Sequence, residues 1–519
     1  MKIDYSQPAK LRPVVAKLVN GKEYEKAEPI LQNLLARYPD AVWVLTALGI
    51  VFRSTDRPYA AECCYRRALM IKEDNPEVCS NYGNLLVDMD RFDEALEYSK
   101  RAVDLDPDTY LFHKNYAVTC REAKQYDDAY EQYMWCHNER PDDPDLNFDI
   151  AYISMYQREL ERAWDLFEWR FKTGKMNFPK EFTLPAWQGE SLEGKKLLVL
   201  AEQGFGDTIL MTRFLPVLQE MGAEVTLSCK APLHKLFSGI SGVKLITEGE
   251  IRQSDYDLHI AMMSIPQHLE RDWLKWPKQP RFHIPAESEE KYKWIKNHSK
   301  DRLKVGIIWS GSVTFAGNEK RAVDLDRFIK MTARFPNVQF YSFQKGPRED
   351  DFAEHGISTI TPLGHTLDDF SQTAAALREM DCIMMTDSAV CHLSGSLGVP
   401  VIDLMQYNPY WLYYPKSNTT PLYNSVRFVH QEKSGDWDQV FDDAAAILDN
   451  LQQERAEKPL SHERVLQVID AHLPKDLWPD DKPPQKAAKS TQKKSAKKTD
   501  EKSSSKTKKK AAKSKRKKA

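Results

Sequence analysis

The sequence predicts an all-α solenoid joined to an α/β part of two parallel-sheet halves, with a disordered basic tail at the end. Three observations carry that fold class. Small residues recur every 34 positions at Ala27, Ala61, Ala95, Ala129 and Ala163, with a second register at Gly49, Gly83, Ala117 and Ala151. Beyond residue 195 the pattern changes to short apolar runs alternating with helical segments. The last stretch is Lys/Ser/Ala low complexity.

Small residues at fixed spacing are what helix pairs need where two backbones cross closely. Tyr24, Phe92 and Tyr126 lie three residues before their alanines, and Pro39, Pro107 and Pro141 lie twelve after, where a proline stops the second helix. The period is that of the tetratricopeptide repeat (TPR), and the spacing predicts about five repeats over residues 8–177. Such an array is a binding surface, so any chemistry belongs downstream.

A chain of 519 residues has room for two or three domains. Its near-neutral charge of −2 hides an asymmetry. From Asp481 to Ala519 there are 17 Lys or Arg against 3 acidic residues, which leaves 57 basic against 73 acidic residues for the rest. The tail, 476–519, is expected to be disordered, with possible electrostatic contacts to anionic membrane or nucleic acid. Eight scattered cysteines without a C-x-x-C pair read as reduced thiols, not as a disulfide framework or zinc site. With no apolar leader at the start and no run of 18 apolar residues, the expected location is cytoplasmic.

A linker over 178–194 follows the repeats, and its Trp187 is a candidate to seal the solenoid against the next domain. The first Rossmann-like half, 195–300, has strand runs at Lys196–Ala201, Glu224–Ser228, Val243–Thr247 and Leu258–Met262, with a helix from about Asp207 to Met221. A charged, proline-bearing stretch from Pro277 to Asp301 interrupts the pattern. The second half, 301–475, restarts it with strands at Val305–Trp309, Gln339–Phe343, Cys382–Thr386 and Pro400–Leu404. A helix over Asp436–Arg455 carries the stripe Val440, Ala444, Ile447 and Leu451. Strands alternating with helices mean parallel sheets with covered faces, and two such halves hold a ligand between them.

Four loops are candidates for chemistry. In Glu202-Gln203-Gly204-Phe205-Gly206-Asp207-Thr208, glycines between strand and helix let a backbone approach a ligand at a helix N-terminus. The plainer reading is a tight turn with Asp207 as N-cap. In Thr386-Asp387-Ser388-Ala389-Val390-Cys391-His392-Leu393-Ser394-Gly395, a strand opens into a helix of small residues whose amides can face a diphosphate; the plainer reading makes Asp387 a cap and His392 a satisfied helical residue. Gln344-Lys345-Gly346 aims a lysine from a strand end, and Trp309-Ser310-Gly311-Ser312, with Asn318 and Arg321 beyond, can wrap part of a nucleotide or sugar.

In order and spacing, the loops Glu202–Thr208, Gln344–Gly346 and Thr386–Gly395 and the late Gly435-Asp436-Trp437 resemble bacterial TPR-containing glycosyltransferases. The catalytic part of those enzymes is similar to the ADP-heptose–lipopolysaccharide heptosyltransferases. The likeness covers about residues 180–455. It implies a GT-B type fold of two Rossmann-like halves and inverting transfer from a nucleotide-diphospho-sugar without a required metal or other cofactor. The acceptor, a protein or glycan, would be recruited partly by the TPR groove. Asp207 matches the candidate general base, with Gln203, Gly204, Gly206 and Thr208 around it near acceptor or phosphate. The donor-side set is Gly311, Arg321, Lys345, Thr386, Asp387, Ser388 and His392. The stretch Ser312–Glu319 departs from the family in being poor in basic and asparagine residues, and no second carboxylate of the first half stands out as a partner for Asp207.

On the solenoid, Trp43, Asn81, Tyr82, Asn115 and Tyr116 fall on first helices, which line the concave side of such arrays. Asn81 and Asn115 are one period apart and suit gripping an extended backbone. The alternative function is a TPR interaction scaffold carrying a catalytically silent GT-B domain.

Overall fold

Helix crossings in the solenoid leave no room for side chains larger than those present. In the computed structural model, which describes residues 4–175, 182–202, 204–298, 301–315, 317–356, 359–413 and 417–473, the five period alanines are fully buried. A Cβ on Gly49 would lie 2.4 Å from the Tyr65 ring, and one on Gly83 would lie 2.2 Å from Ser99 Oγ. Volume rather than helix propensity selects glycine at these two crossings.

The repeats pair α1 (Pro8–Asn20) with α2 (Tyr24–Arg37), α3 (Val42–Ser54) with α4 (Pro58–Ile71), and α5 (Pro76–Asp88) with α6 (Phe92–Leu105). They continue with α7 (Tyr110–Glu122) and α8 (Tyr126–Glu139), then α9 (Pro144–Tyr156) and α10 (Leu160–Phe167). Asn75 and Asp143 cap their helices through side-chain acceptance from Val78 and Leu146 backbone N–H. A third register, not anticipated, marks the turn inside each repeat. Lys22, Asp56, Asp90, Lys124 and Arg158 all take a left-handed conformation, with φ of 58, 55, 57, 59 and 58°. None of the five left-handed positions is a glycine, so the usual signal of positive φ is missing from the sequence.

The first sheet holds β1 (Lys196–Leu200), β2 (Glu224–Ser228), β3 (Lys244–Ile246) and β4 (Leu258–Ala261) in the order β3-β2-β1-β4, all parallel. The expected helix over 207–221 is broken. α11 (Phe205–Met211) runs into a 3₁₀ turn at Thr212–Phe214, and a second helix resumes at Leu215–Glu220 with Pro216 in its first turn. Proline has no N–H to continue the earlier ladder.

The second sheet holds β5 (Leu303–Ile308), β6 (Val338–Ser342), β7 (Ile360–Pro362), β8 (Cys382–Thr386), β9 (Val401–Met405), β10 (Thr419–Thr420) and β11 (Tyr423–His430). Its order is β10-β11-β9-β8-β5-β6-β7, parallel except for the β10–β11 pair. β7, β10 and β11 were not expected. β11 carries polar residues at Asn424, Ser425 and Arg427 because it lies beside the short edge strand, where Asn424 is exposed and Arg427 pairs with Asp470. The charged stretch before β5 crosses to the second half. Its helix Ala286–Tyr292 docks there through Lys291 Nζ and Tyr292 OH, which donate to the Thr366 carbonyl at 2.6 and 2.7 Å.

One continuous apolar core joins the last repeat (Met155, Trp164, Phe167), the first sheet (Leu197, Val199) and the second (Ile308, Ile383, Met385). Trp164 packs at 5.8 Å from Trp411 and 6.2 Å from Trp276, and its indole N–H donates to the Arg271 carbonyl at 2.8 Å. Trp187 belongs to the same core but on its first-sheet side. It sits beside the first sheet, where its backbone joins β4 at His259, its indole donates to Glu190 and its ring faces His268.

The left-handed turns complete the docking. Asp90 accepts from Ser434 at 2.8 Å, Lys124 Nζ lies 3.4 Å from the centre of the Tyr407 ring, and Arg158 reaches Asp272 at 3.3 Å. Three successive repeats thus present the same turn position to the α/β part.

Candidate functional site

Two strand-to-helix turns, one from each sheet, meet face to face. From β1 the chain passes through Glu202 and Gly204 into α11; from β8 it passes through Asp387 and Ser388 into the helix Ala389–Leu397. A Cβ on Gly206 would lie 2.8 Å from the His392 ring and 3.3 Å from Ala389 Cα. Gly206 is therefore demanded by the opposing helix. Gly204, not Asp207, is the N-cap of α11, and Asp207 lies in its first turn. Thr208 fastens that turn by donating its hydroxyl and its N–H to the Gly204 carbonyl at 2.8 and 3.1 Å. Gln203 lies outside the described residues.

Asp207 has its carboxyl pushed up to about 7, first by burial, then by the charges of Glu202 and Asp387, with Arg321 pulling the other way. A second carboxylate of the first half thus does stand beside Asp207. It is Glu202, at the far end of the same loop. The structure brings Asp207 together with the donor-side pair Arg321 and Asp387, which are joined at 3.2 Å. Burial raises Asp387 while Arg321 restrains it.

Around this pair the second half builds a small polar cradle. A Cβ on Gly311 would lie 2.6 Å from the Arg321 guanidinium, and Arg321 Nε donates to Asn318 Oδ1 at 3.4 Å. Asn318 donates to Ser310 Oγ at 2.9 Å, and the Phe315 ring lies 4.5 Å below the guanidinium. Gln344 is buried and accepts from the N–H groups of Trp309 and Ser310 at 3.1 and 3.0 Å, so it holds this loop in shape. Lys345 beside it is exposed and donates to the Gly364 carbonyl at 3.3 Å. Ser388 caps the small-residue helix by accepting from Val390 N–H at 3.3 Å, while the Thr386 hydroxyl is buried with no hydrogen-bond partner among the described residues.

His392 takes a packing position. Its Nδ1 and Nε2 lie 3.1 and 3.0 Å from the hydroxyls of Tyr423 and Tyr413, and burial followed by Arg213 lowers it to about 3. The ring is neutral and both nitrogens are engaged, so as placed it offers no donor to a ligand. On β9, Asp403 is fully buried, and among the described residues no N–H or O–H group donates to either carboxyl oxygen; only the Cys391 thiol is set against it. Burial and the charge of Asp387 raise it well above the usual carboxylate range. Sequence reasoning passed over it, although a lone acid inside the apolar run Val401–Met405 was a readable signal.

The solenoid also reaches the site. Tyr152 of α9 and Tyr410 after β9 both lie within the field of Asp207, and both phenols are pushed up, chiefly by burial. Tyr156, one turn beyond Tyr152, donates to the Pro409 carbonyl at 2.7 Å and fixes that loop on α9. In the groove, Asn81 donates to the Glu77 carbonyl at 2.8 Å and Asn115 to Ser80 Oγ at 2.8 Å, so each spends an amide N–H within the array. Tyr82 is buried and donates to Glu62, a packing role. Among the described residues no three His, Cys, Asp or Glu side chains group closely enough to hold a metal ion, and no helix is long and apolar enough to cross a membrane.

A tetratricopeptide-repeat family model matches residues 76–109. Protein FlbA of Caulobacter vibrioides is 23% identical over 482 residues, spanning 80% of this chain and 79% of FlbA. The type IV pilus assembly protein PilF of Pseudomonas aeruginosa is 26% identical over 148 residues, 28% of this chain and 59% of PilF. Among solved structures, Pseudomonas aeruginosa PilF aligns over 33% of this chain and 77% of its own at 22% identity with a TM-score of 0.30. MamA MSR-1 aligns over 33% and 98% at 19% identity with a TM-score of 0.29. The N-terminal helices form a TPR solenoid, a protein-interaction scaffold, and the C-terminal region is α/β with parallel sheets.

Proposed function

We propose that the α/β part is a GT-B type glycosyltransferase, related in its loops to the heptosyltransferases. It would move a sugar from a nucleotide-diphospho-sugar to a protein or glycan acceptor that the solenoid recruits. One observation supports this most. Two strand-to-helix turns from separate parallel sheets close on each other, with Asp207 on one side and the Arg321–Asp387 pair on the other. Ligands of open α/β sheets bind in such crevices at the carboxyl ends of strands.

In this reading the acceptor hydroxyl gives its proton to the Asp207 carboxylate as its oxygen attacks the anomeric carbon. The bond from that carbon to the diphosphate oxygen breaks, and the nucleoside diphosphate leaves with the electron pair. Attack opposite the leaving group inverts the anomeric centre. A carboxyl held near 7 is a stronger base than an ordinary aspartate and is largely ionised just above neutrality. Charge on the leaving diphosphate would be met by Arg321, by exposed Lys345 and by the positive N-terminal end of the Ala389–Leu397 helix. No metal ion is needed for that division of labour.

The second reading is an interaction scaffold with a silent catalytic half, favoured by the repeat match falling within the solenoid. A panel of UDP-, GDP- and ADP-sugars in thermal unfolding separates the two. Stabilisation by one donor, absent in an Arg321→Ala variant, supports transfer; no stabilisation by any donor overturns it.

A further inference from the structure

Arg170 belongs to the solenoid by sequence, in the 3₁₀ turn Glu168–Lys172 that follows α10, yet its side chain ends on Glu202, just after β1. It is 1% exposed, and all five of its N–H groups are engaged. Nε and Nη2 donate to the two oxygens of Glu202 at 3.1 and 2.8 Å. Nη2 also donates to Ser264 Oγ at 2.6 Å, and Nη1 donates to Glu168 at 2.6 Å and to the Phe167 carbonyl at 3.2 Å. The rings of Phe167 and Phe171 lie 4.5 and 4.0 Å from the guanidinium carbon. Glu202 accepts in addition from Met263 N–H at 3.1 Å. A bidentate, fully satisfied fork of this kind fixes the place and orientation of a buried carboxylate.

We propose that Arg170 is a positioning residue of the transfer site: the terminal turn of the solenoid grips the Glu202 carboxylate from both oxygens and fixes it at the start of the loop that carries Asp207, and so sets the charge against which the base works. The groups facing Asp207 are Glu202 on its own loop, Asp387 and Arg321 from the second half, Tyr152 from α9 and Tyr410 from the loop after β9. Of these, Glu202 alone is tied to the solenoid by an ion pair among the described residues, so docking of the repeats and protonation of Asp207 become one device. A simple structural tie would need the same pair but would not move the titration of Asp207.

The inference rests on Asp207 being the base, and its test needs no donor. The full chain and its Asp207→Asn form are unfolded thermally across pH 4 to 9, and the difference between them traces the ionisation of Asp207. Arg170→Gln, which leaves the Glu202 charge uncountered, shifts the midpoint of that difference curve upward by about half a pH unit or more, and Arg170→Lys restores it. Glu202→Gln shifts it downward, and it decides the matter alone if Arg170→Gln does not fold. Midpoints unmoved by these substitutions overturn the inference even where stability falls. Failure of every nucleotide-sugar to stabilise the chain overturns the transfer reading instead, so the two failures are told apart.

Discussion

Replacing Asp207 with asparagine separates the cost of burying this carboxyl from its use. The folded chain raises the group from 3.8 to about 7. At about 1.4 kcal/mol per unit that is a ceiling of about 4 kcal/mol. Asp207 is only partly covered, so solvent screening brings the expected figure to roughly 2 kcal/mol. The sign follows from proton binding. The folded chain holds the proton more tightly than the unfolded chain, so its stability falls as pH rises from about 4 to about 7 and is level above that. Asparagine binds no proton and has no such slope. The Asp207→Asn variant is therefore expected to match the parent near pH 3 and to exceed it by roughly 2 kcal/mol at pH 8, read by urea unfolding at each pH. Turnover of whichever nucleotide-sugar stabilises the chain should fall by about 10² or more, and parental activity should rise through a midpoint near 7. Wild-type turnover in the variant, or a stability difference that does not change with pH, would refute the reasoning.

Lys345→Ala should weaken nucleoside-diphosphate binding by about 1.5–3 kcal/mol in calorimetry while the unfolding temperature stays put, because the side chain is exposed. His392→Ala should do the opposite, destabilising by about 2–4 kcal/mol, since it takes a partner from the Tyr413 and Tyr423 hydroxyls and opens a cavity; an unchanged melting curve would contradict that. Asp403→Asn should melt above the parent at pH 8 and with it at pH 4, because the folded state keeps that proton and loses stability as pH rises. Gly49→Ala should lower stability by about 1–3 kcal/mol despite the better helix propensity of alanine, as the new Cβ meets the Tyr65 ring at 2.4 Å.

The repeats were legible because their period is enforced locally. A helix crossing rejects any volume beyond a methyl group wherever it occurs, so Ala27 to Ala163 announce themselves. Buried parallel strands such as β1 and β8 were legible for a similar reason, as runs too apolar to be anything else. β11 was not, because beside a short edge strand it keeps polar residues that a central strand would lose. The left-handed turns escaped notice because lysine and arginine give no warning of positive φ and aspartate only a weak one. Asp207, Arg321 and Asp387 were each picked from loops, but their meeting could not be read from a line of residues, and the donor role given to His392 met two tyrosines instead.

By itself the sequence determined the solenoid, the central parallel strands of both sheets and the loops that could carry chemistry, since each depends on periodicity within a few dozen residues. Only the tertiary structure decided what those loops face. Glu202 became the neighbour of Asp207, Arg170 its counter-charge from another architectural part, and Trp164 with Trp411 the joint between solenoid and sheets. The physical reason is that burial and charge pairing are set by whichever surfaces meet when separate elements dock, and that meeting joins residues 32 to over 200 positions apart in sequence.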